Sequence, residues 1–335
     1  MTVRVGINGF GRIGRQVLRI AHEREGIEVV AINDPKTPEV MAHMFRYDSA
    51  YGRFNGSVEA TKEGLIVNGK LARVSNARVA SETPWGEYGA DIIVDGTGLY
   101  KERKDAVGHL EAGAKKVILA YPGKDEDVTL VMGVNHEDYD PSKHHIVSNA
   151  SCTTNCLAPV AKVLNDEFGI VRGMMTTVHS YTNDQRLLDK THKDPRRARA
   201  AAVSMIPTTT GAAKAIGLVI PELQGKMNGF AMRVPTPSVS VVDLVVELGQ
   251  NVTAEQVNDA LRRAAAGPLV GILAVSDEPL VSVDYVGDPH SSIVDSELTM
   301  VMGGNLVKVI AWYDNEWGYS CRCIDMCEYF AQRGL

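Results

Sequence analysis

Two groups of residues in this chain have the types and spacing that chemistry needs. Cys152 lies in the stretch Ser148-Asn149-Ala150-Ser151-Cys152-Thr153-Thr154-Asn155-Cys156, where a strand-like run gives way to a helical pattern with the apolar face Leu157, Val160, Ala161, Leu164 and Phe168. A cysteine at a helix start meets unpaired N–H groups and the positive end of the helix dipole, which favour thiolate, the reactive form. His179 ends the strand-like run MMTTVHS. An imidazole within reach of a thiolate stabilises it and then takes a proton from the substrate, so the pair points to covalent catalysis. Cys156, one turn further along the same face, reads as a small buried hydrophobe rather than a second catalytic thiol. The histidines of SKHHI and THKDP sit among polar residues and read as solvated.

The second group is Gly9-Phe10-Gly11-Arg12-Ile13-Gly14, a GxGxxG that follows the run VRVGIN and opens a helix with apolar residues Ile13, Val17, Leu18 and Ala21. Glycines there let the backbone turn and approach a pyrophosphate, and the helix N-terminus supplies free N–H donors. Asp34 closes the second strand-like run, IEVVAIND, twenty residues after Gly14, where a carboxylate accepts hydrogen bonds from an adenosine ribose. It also repels a ribose 2′-phosphate, which argues for NAD over NADP; Lys36, two residues on, works the other way.

The elements that position these residues follow from periodicity. VRVGIN, a helix from Arg12 to about His22, IEVVAIN, DIIVDG, KKVILAY, TLVMGV and HHIVSNA alternate in a βαβ rhythm, which predicts a Rossmann-type, mostly parallel sheet. After Cys152 the strands lengthen and alternate in polarity (GMMTTVHSY, GFAMRV, SVSVVDLVVEL, LTMVMG, LVKVIAWYDN), separated by helices such as TAEQVNDALRRAAA. That half predicts an α+β domain with a mostly antiparallel sheet and helices on one face. The expected division of this α/β chain is a dinucleotide-binding domain over 1–150 and a catalytic domain over 151–315. The helical segment that follows, Trp317 to Phe330, is not assigned to either by its own pattern.

Bulk properties exclude other classes. The chain has 335 residues, 44% hydrophobic and 23% charged, with a formal net charge of −6, ordinary for a globular protein with two real cores. An acidic balance argues against nucleic acid as the main partner. No signal-peptide pattern opens the chain and no apolar run reaches the length of a membrane span, so a soluble, unprocessed protein is expected. The five cysteines are odd in number and bunched; they suit a reducing cytoplasm better than a disulfide framework. Cys321, Cys323 and Cys327 fall within a helical pattern without CxxC pairs or a nearby histidine, and no metal site is expected there.

The segments INGFGRIGR, YPGKDEDVTLVMGVNH, SNASCTTNCLAP, TTVHSYTNDQR, RRARAAA, PTTTGAAKA, RVPTPSVSVVDL and AWYDNEWGY together resemble phosphorylating glyceraldehyde-3-phosphate dehydrogenases from end to end. SCTTNC followed by HSYTNDQR carries most of the specificity. The resemblance implies that Cys152 attacks an aldehyde carbon, that His179 takes the hydroxyl proton as hydride leaves to the nicotinamide, and that inorganic phosphate then attacks the thioester to give 1,3-bisphosphoglycerate. It places substrate and inorganic phosphate among Ser151, Thr153, Thr182, Arg197, Thr210, Gly211 and Arg233, whose hydroxyls, glycine N–H and guanidinium forks suit phosphate oxygens. On the cofactor side it adds Arg12, Ile13, Asp34, Arg78, Thr97, Ala120 and Asn315 to the glycines Gly9, Gly11 and Gly14, with Asn315 as the carboxamide partner. It further implies a homotetramer, a C-terminal helix over 316–335 packed on the cofactor domain, and a loop from Asp184 to about Ala200 lying against a neighbouring subunit.

The sequence departs from the family in the cofactor region. Lys190-Thr191 stands where many NAD-specific members have Leu-Pro, Ala120 and Gly96 replace common serines, and Tyr121 replaces a small residue. NAD is therefore expected as the main cofactor, with NADP tolerated through Lys190, Thr191 and Lys36. Two rival functions stand beside the triose enzyme: an erythrose-4-phosphate dehydrogenase sharing the same Cys-His logic, and a non-catalytic RNA-binding or redox-sensing role.

Overall fold

The computed structural model describes residues 2–335. They form two compact units: one runs to Leu130 and takes in Glu137–Ser151 and Ser320–Leu335, the other comprises Val131–His136 and Cys152–Tyr319.

The first unit begins β1 (Val3–Asn8), α1 (Arg12–Glu23), β2 (Ile27–Asn33) and α2 (Pro38–Arg46). The short hairpin β3 (Tyr47–Asp48) and β4 (Gly52–Arg53) follows, then β5 (Val58–Ala60), β6 (Gly64–Val67), β7 (Lys70–Ser75) and α3 (Trp85–Tyr88). It continues with β8 (Ile92–Asp95), α4 (Arg103–Glu111), β9 (Lys116–Leu119), β10 (Val128–Thr129) and β11 (Ile146–Ser148). Nine of these strands make one sheet in the order β10-β11-β9-β8-β1-β2-β7-β6-β5. Every pairing from β10 to β7 is parallel; β6 and β5 are added antiparallel. β8 is buried throughout, which is why Ile92–Val94 is an unbroken apolar run. The chain leaves β1 in one direction along the sheet and returns on its other side at β8, so the carboxyl ends of β1 and β8 flank a topological switch point, where ligands bind in such sheets.

Two readings from periodicity differ from the structure. Only Val128–Thr129 of the run around TLVMGV is strand. Leu130 and Val131 are fully buried just ahead of a turn in which the Asn135 side chain takes the Val131 N–H and Gly133 sits at a φ of 79°. Conversely β5 to β7 escaped notice because charges and glycines interrupt their alternation. Their one clear signal is Asn68-Gly69 between β6 and β7, both at positive φ, the turn chemistry that closes a two-residue hairpin.

The second unit contains α5 (Cys152–Phe168), β12 (Ile170–Ser180), β13 (Ile206–Thr208), α6 (Ala212–Val219), β14 (Met227–Val234) and β15 (Ser240–Leu248). It goes on with α7 (Ala254–Ala265), β16 (Leu273–Ser276), β17 (Ser292–Met302) and β18 (Leu306–Tyr313). Its seven-stranded sheet runs β13-β14-β12-β15-β18-β17-β16, parallel only at β12/β14 and β16/β17. Along β15 and β18 every second residue is buried, the period-2 pattern of a sheet covered on one face. The cover is helical: α5 packs on β12, β15, β17 and β18 and against α6 and α7. α7 starts with a reciprocal cap, Thr253 Oγ1 accepting from Gln256 N and Gln256 Oε1 from Thr253 N. The final helix, α8 (Trp317–Arg333), belongs from Ser320 onward to the first unit, where Phe330 stacks on Tyr139 at 4.2 Å and Arg24 pairs with Asp325.

One buried cation braces the first unit. Lys116 is fully buried, and its Nζ donates to Pro141 O at 2.6 Å and His144 O at 3.0 Å, beside His145 Nδ1 at 3.2 Å and over the Tyr139 ring. Lys116→Met keeps the volume but strands those acceptors in a dry interior. It is expected to cost about 2–4 kcal/mol and to lower the melting temperature by several degrees. An unchanged melting curve would mean that the 140–145 loop does not depend on the cation.

Candidate active site

Cys152 is the first residue of α5, and the chain reaches it through a sharp turn in which Ala150 holds a φ of 53°. A non-glycine residue in that left-handed region stores about 1–2 kcal/mol of strain. His179 is next to last on β12, and the two come together with Cys152 Sγ 3.5 Å from His179 Nε2. The ring is buried, edge-on to Tyr313 at 5.9 Å, and Tyr313 is itself fixed, its hydroxyl 2.8 Å from both Thr153 Oγ1 and Thr177 Oγ1. Cys156 lies buried one turn on, its sulfur near Ser292 Oγ and Ala311 O, and burial pushes its thiol up.

The other ring nitrogen has two neighbours. His179 Nδ1 is 2.7 Å from Ser180 O and 2.6 Å from Arg233 Nη1, and Arg233 Nη1 also donates to Ser180 O at 3.0 Å. Parallel pairing of β12 with β14 sets His179 directly beside Arg233. These contacts describe two proton arrangements. With Nδ1–H on the Ser180 carbonyl, the Nε2 lone pair faces a Cys152 thiol. With Nδ1 accepting from Arg233, Nε2–H faces a thiolate, and the guanidinium balances its charge.

Burial, then the Arg233 charge, push His179 down to about 3, so the imidazole is neutral near pH 7. Burial also pushes the Cys152 thiol up, against the pull of Arg233 and the helix-start N–H groups. The helix start alone therefore does not hold Cys152 as thiolate; Arg233, 54 residues from His179 in sequence, supplies a large part of the opposing field.

Among the residues predicted to bind phosphate, Thr153 is buried with its hydroxyl on Tyr313, and Arg233 serves His179. Arg197 is held by an ion pair with Asp184 and by Thr208 Oγ1 at 2.7 Å and Thr209 O at 3.2 Å. Thr182 N donates to Gln185 Oε1. Thr210 Oγ1 accepts from Ala212 N at the start of α6, and Gly211, just before it, has open space where a Cβ would stand. Ser151 immediately precedes Cys152 and is half-buried.

In the first unit, the glycines of the GxGxxG turn have separate physical reasons. Gly9 sits at a φ of 88°, with Thr97 Cγ2 only 2.7 Å from where a Cβ would be, and a Cβ on Gly14 would meet Gly9 O at 2.2 Å. Gly11 has nothing within 4 Å and precedes α1, which lacks any side-chain cap. The open approach over Gly11 at the start of α1 fits a pyrophosphate. The Arg12 side chain turns away onto Asp48 at 2.6 Å. Asp34 Oδ2 accepts from Phe10 N, while Oδ1 accepts from Lys36 N and pairs with Lys36 Nζ at 3.0 Å.

A hydrogen-bonded row that sequence reading missed crosses the carboxyl edge of the parallel sheet. Ser75 Oγ donates to Asn33, Asn33 to Asn8, and Asn8 Nδ2 to Asp95 Oδ2 at 2.6 Å. Asp95 is fully buried, and its Oδ1 takes the Thr97 N–H, the Thr97 hydroxyl and the Tyr121 hydroxyl. His109 Nε2 stands 3.2 Å from Oδ2; because Trp85 Nε1 donates to His109 Nδ1, the proton lies on Nε2. Burial works against the Asp95 carboxylate, and these donors outweigh it and hold it below the usual range. Tyr121 also reaches Tyr100 O, and Tyr100 OH donates to Arg78 O, so Arg78 and Thr97 are fixed by one network; Ala120 N is tied to Asp95 O. The departure at Tyr121 thus has a structural use. No local pattern flags Asp95, since its partners come from residues 8, 97, 109 and 121.

Asn315, in the segment after β18, is buried with its Oδ1 accepting from both Ser180 Oγ and Ser240 Oγ at 2.9 Å. Among the described residues no cluster of metal-ligating side chains occurs, the five cysteines are all free, and no helix is long and apolar enough to cross a membrane.

Residues 3–103 match the family model described as glyceraldehyde 3-phosphate dehydrogenase, NAD binding domain, and residues 151–315 match the C-terminal domain of the same family. Proteins named glyceraldehyde-3-phosphate dehydrogenase from Geobacillus stearothermophilus and Priestia megaterium are 62% and 59% identical over the whole of both chains. Glyceraldehyde-3-phosphate dehydrogenase 1 of Bacillus subtilis is 60% identical over the same span. The chain belongs to the glyceraldehyde 3-phosphate dehydrogenase family, NAD-dependent oxidoreductases that act on an aldehyde.

Proposed function

We propose that Cys152 is the nucleophile and His179 the base of a phosphorylating oxidation of glyceraldehyde 3-phosphate. The observation that carries this reading is the 3.5 Å approach of Cys152 Sγ to His179 Nε2 at a helix start, with Arg233 behind the imidazole. Cys152 Sγ adds to the aldehyde carbon, the C=O electron pair moving to oxygen, where the Cys152 N–H and His179 hold the charge. His179 Nε2 takes the Cys152 thiol proton as the C–S bond forms, passes it to that oxygen to make the hemithioacetal hydroxyl, and takes it back as hydride leaves and the carbonyl re-forms. NAD, when bound, takes the hydride. A thioester to Cys152 is left. Attack by an inorganic phosphate oxygen on its carbonyl breaks the C–S bond, expels the Cys152 thiolate and yields 1,3-bisphosphoglycerate; every step is reversible.

Ser151, Thr153, Thr182, Arg197, Thr210, Gly211 and Arg233 are the residues we assign to the two phosphate groups, the open Gly211 backbone before α6 being the best supported. Gly9, Gly11, Arg12, Ile13, Gly14, Asp34, Arg78, Thr97, Ala120 and Asn315 are assigned to NAD. A homotetramer is supported by apolar side chains standing exposed on the second unit's sheet and loops: Met174, Phe230, Met300, Met302, Leu187 and Val203. The five free cysteines support the cytoplasm as its place. The names of its relatives favour the triose substrate over erythrose 4-phosphate, and nothing in them favours an RNA-binding or redox-sensing role.

Initial rates with glyceraldehyde 3-phosphate, run with NAD and NADP and with and without inorganic phosphate, test this reading. Turnover is expected to depend on phosphate and to favour NAD. Lys36 offsets the Asp34 charge, so NADP is expected to be used weakly, and Lys190→Ala is expected to raise the NAD:NADP ratio of kcat/KM by roughly threefold to tenfold. A ratio unmoved by the substitution removes Lys190 from cofactor choice, and phosphate-independent turnover would overturn the acyl-phosphate mechanism.

A further inference from the structure

We propose that Ser180 and Ser240 are positioning residues that lock the Asn315 amide in one orientation, and that this lock fixes which face of the nicotinamide ring receives the hydride. The proposal rests on Asn315 being the carboxamide partner, and adds what makes it act as a donor rather than an acceptor.

The direction of the hydrogen bonds follows from proton accounting. Ser180 N, a donor only, bonds Ser240 Oγ at 3.1 Å. Each serine hydroxyl then has its own proton to place, and Asn315 Oδ1, 2.9 Å from both, accepts the two. Ser180 and Ser240 are buried, at 0% and 2% exposure, so no solvent can take over that task. Turning the amide over would leave both hydroxyl protons without an acceptor in a dry site, which proteins avoid. The amide is therefore held with its carbonyl toward the serines and its NH₂ on the opposite edge. That edge recognises a carbonyl oxygen, such as the one on a primary carboxamide. A half-turn of the nicotinamide about its glycosidic bond carries the carboxamide to the far side and forfeits the contact, so one ring face is selected.

The backbone on either side is built to hold this arrangement. Ser240 opens β15 opposite Tyr313, and Ser180 follows His179. Asp314 Oδ1 accepts from Ser238 Oγ, Glu316 N and Trp317 N, and its Oδ2 from Gly287 N, which pins the residue before Asn315. Val239, between the two serines that serve Asp314 and Asn315, has a φ of 67°, a left-handed conformation that β-branched residues strongly disfavour. Packed with Tyr285 and Ile293, it keeps that strain and turns Ser238 and Ser240 to their partners.

The test uses the full-length enzyme with aldehyde substrate deuterated at C1, scoring the prochiral face of the reduced cofactor by NMR alongside KM for NAD and kcat. Wild type is expected to deliver deuterium to one face only. Ser180→Ala/Ser240→Ala is expected to raise KM for NAD by roughly tenfold, to lower kcat less, and to place a measurable fraction of deuterium on the other face. Each single variant is expected to shift the same way by less, and keeps the test available if the double variant fails to fold. Ser240→Thr, which retains the hydroxyl, is expected to keep a single labelled face. Asn315→Ala separates the underlying reading from the proposal. If it leaves KM and the labelled face unchanged, Asn315 does not hold the carboxamide and both fall; if it impairs them while the serine variants do not, the lock alone is wrong.

Discussion

Cys152→Ser is expected to abolish aldehyde oxidation, lowering kcat by on the order of 10⁴-fold or more, while the affinity for NAD stays within about twofold of wild type. The substitution preserves shape and a hydrogen-bonding group, so its effect isolates the sulfur. A serine hydroxyl is not ionised by a neutral imidazole at 3.5 Å, and the guanidinium of Arg233, which favours a thiolate at this position, finds no anion to act on. An oxygen ester, even if formed, is a much poorer acceptor for phosphate than a thioester. A rapid-mixing experiment without phosphate checks this. Wild type should release a burst of reduced cofactor approaching one equivalent per site, and the variant none. A burst of wild-type size in the variant would sink the covalent mechanism.

His179→Gln is expected to lower kcat by roughly 10²- to 10⁴-fold and to change the pH behaviour in two separable ways. Because the folded enzyme keeps this imidazole neutral down to about pH 3, the acid limb of Cys152 alkylation by iodoacetamide reports the thiol proton. Without the Nε2–H that faces the thiolate, that limb should move to higher pH in the variant. Stability shifts the opposite way at low pH. His179 titrates at about 3 folded against an ordinary 6.5, so between these values the unfolded chain binds the extra proton. Its contribution to stability is thus whole above about pH 6.5 and is lost as pH falls toward 3. Glutamine, which does not titrate, should flatten the pH dependence of the melting temperature across that window. Identical alkylation profiles in both proteins would remove His179 from control of the nucleophile.

Much of this was legible in the sequence because it is local. GxGxxG must follow a strand and open a helix, and Gly9, Gly11 and Gly14 have the crowding and openness that the spacing implies. The α/β character of the chain, its parallel and antiparallel sheets, and the placing of Cys152 at a helix start and His179 near a strand end are all consequences of periodicity over windows of ten or so residues. The capping box of α7 is equally local. The hairpins of β5 to β7 were missed for a related reason, since their strands are too short and too charged to show a period.

What the tertiary structure alone decided is the environment of those groups. A sequence reading gives Cys152 a dipole that favours thiolate; only the fold adds the burial that opposes it and brings Arg233 to within 2.6 Å of His179 Nδ1. Arg233 and Arg197 read alike as phosphate ligands, yet one is bound to His179 and the other to Asp184 and Thr208. Asp95, Tyr121, Ser180 and Ser240 carry no motif, because each gains its role from partners that strand order, not chain order, sets beside it. Burial and long-range hydrogen bonds determine charge state and orientation, and both depend on atoms that are distant in sequence; residue type and local period determine only which groups are available to be placed.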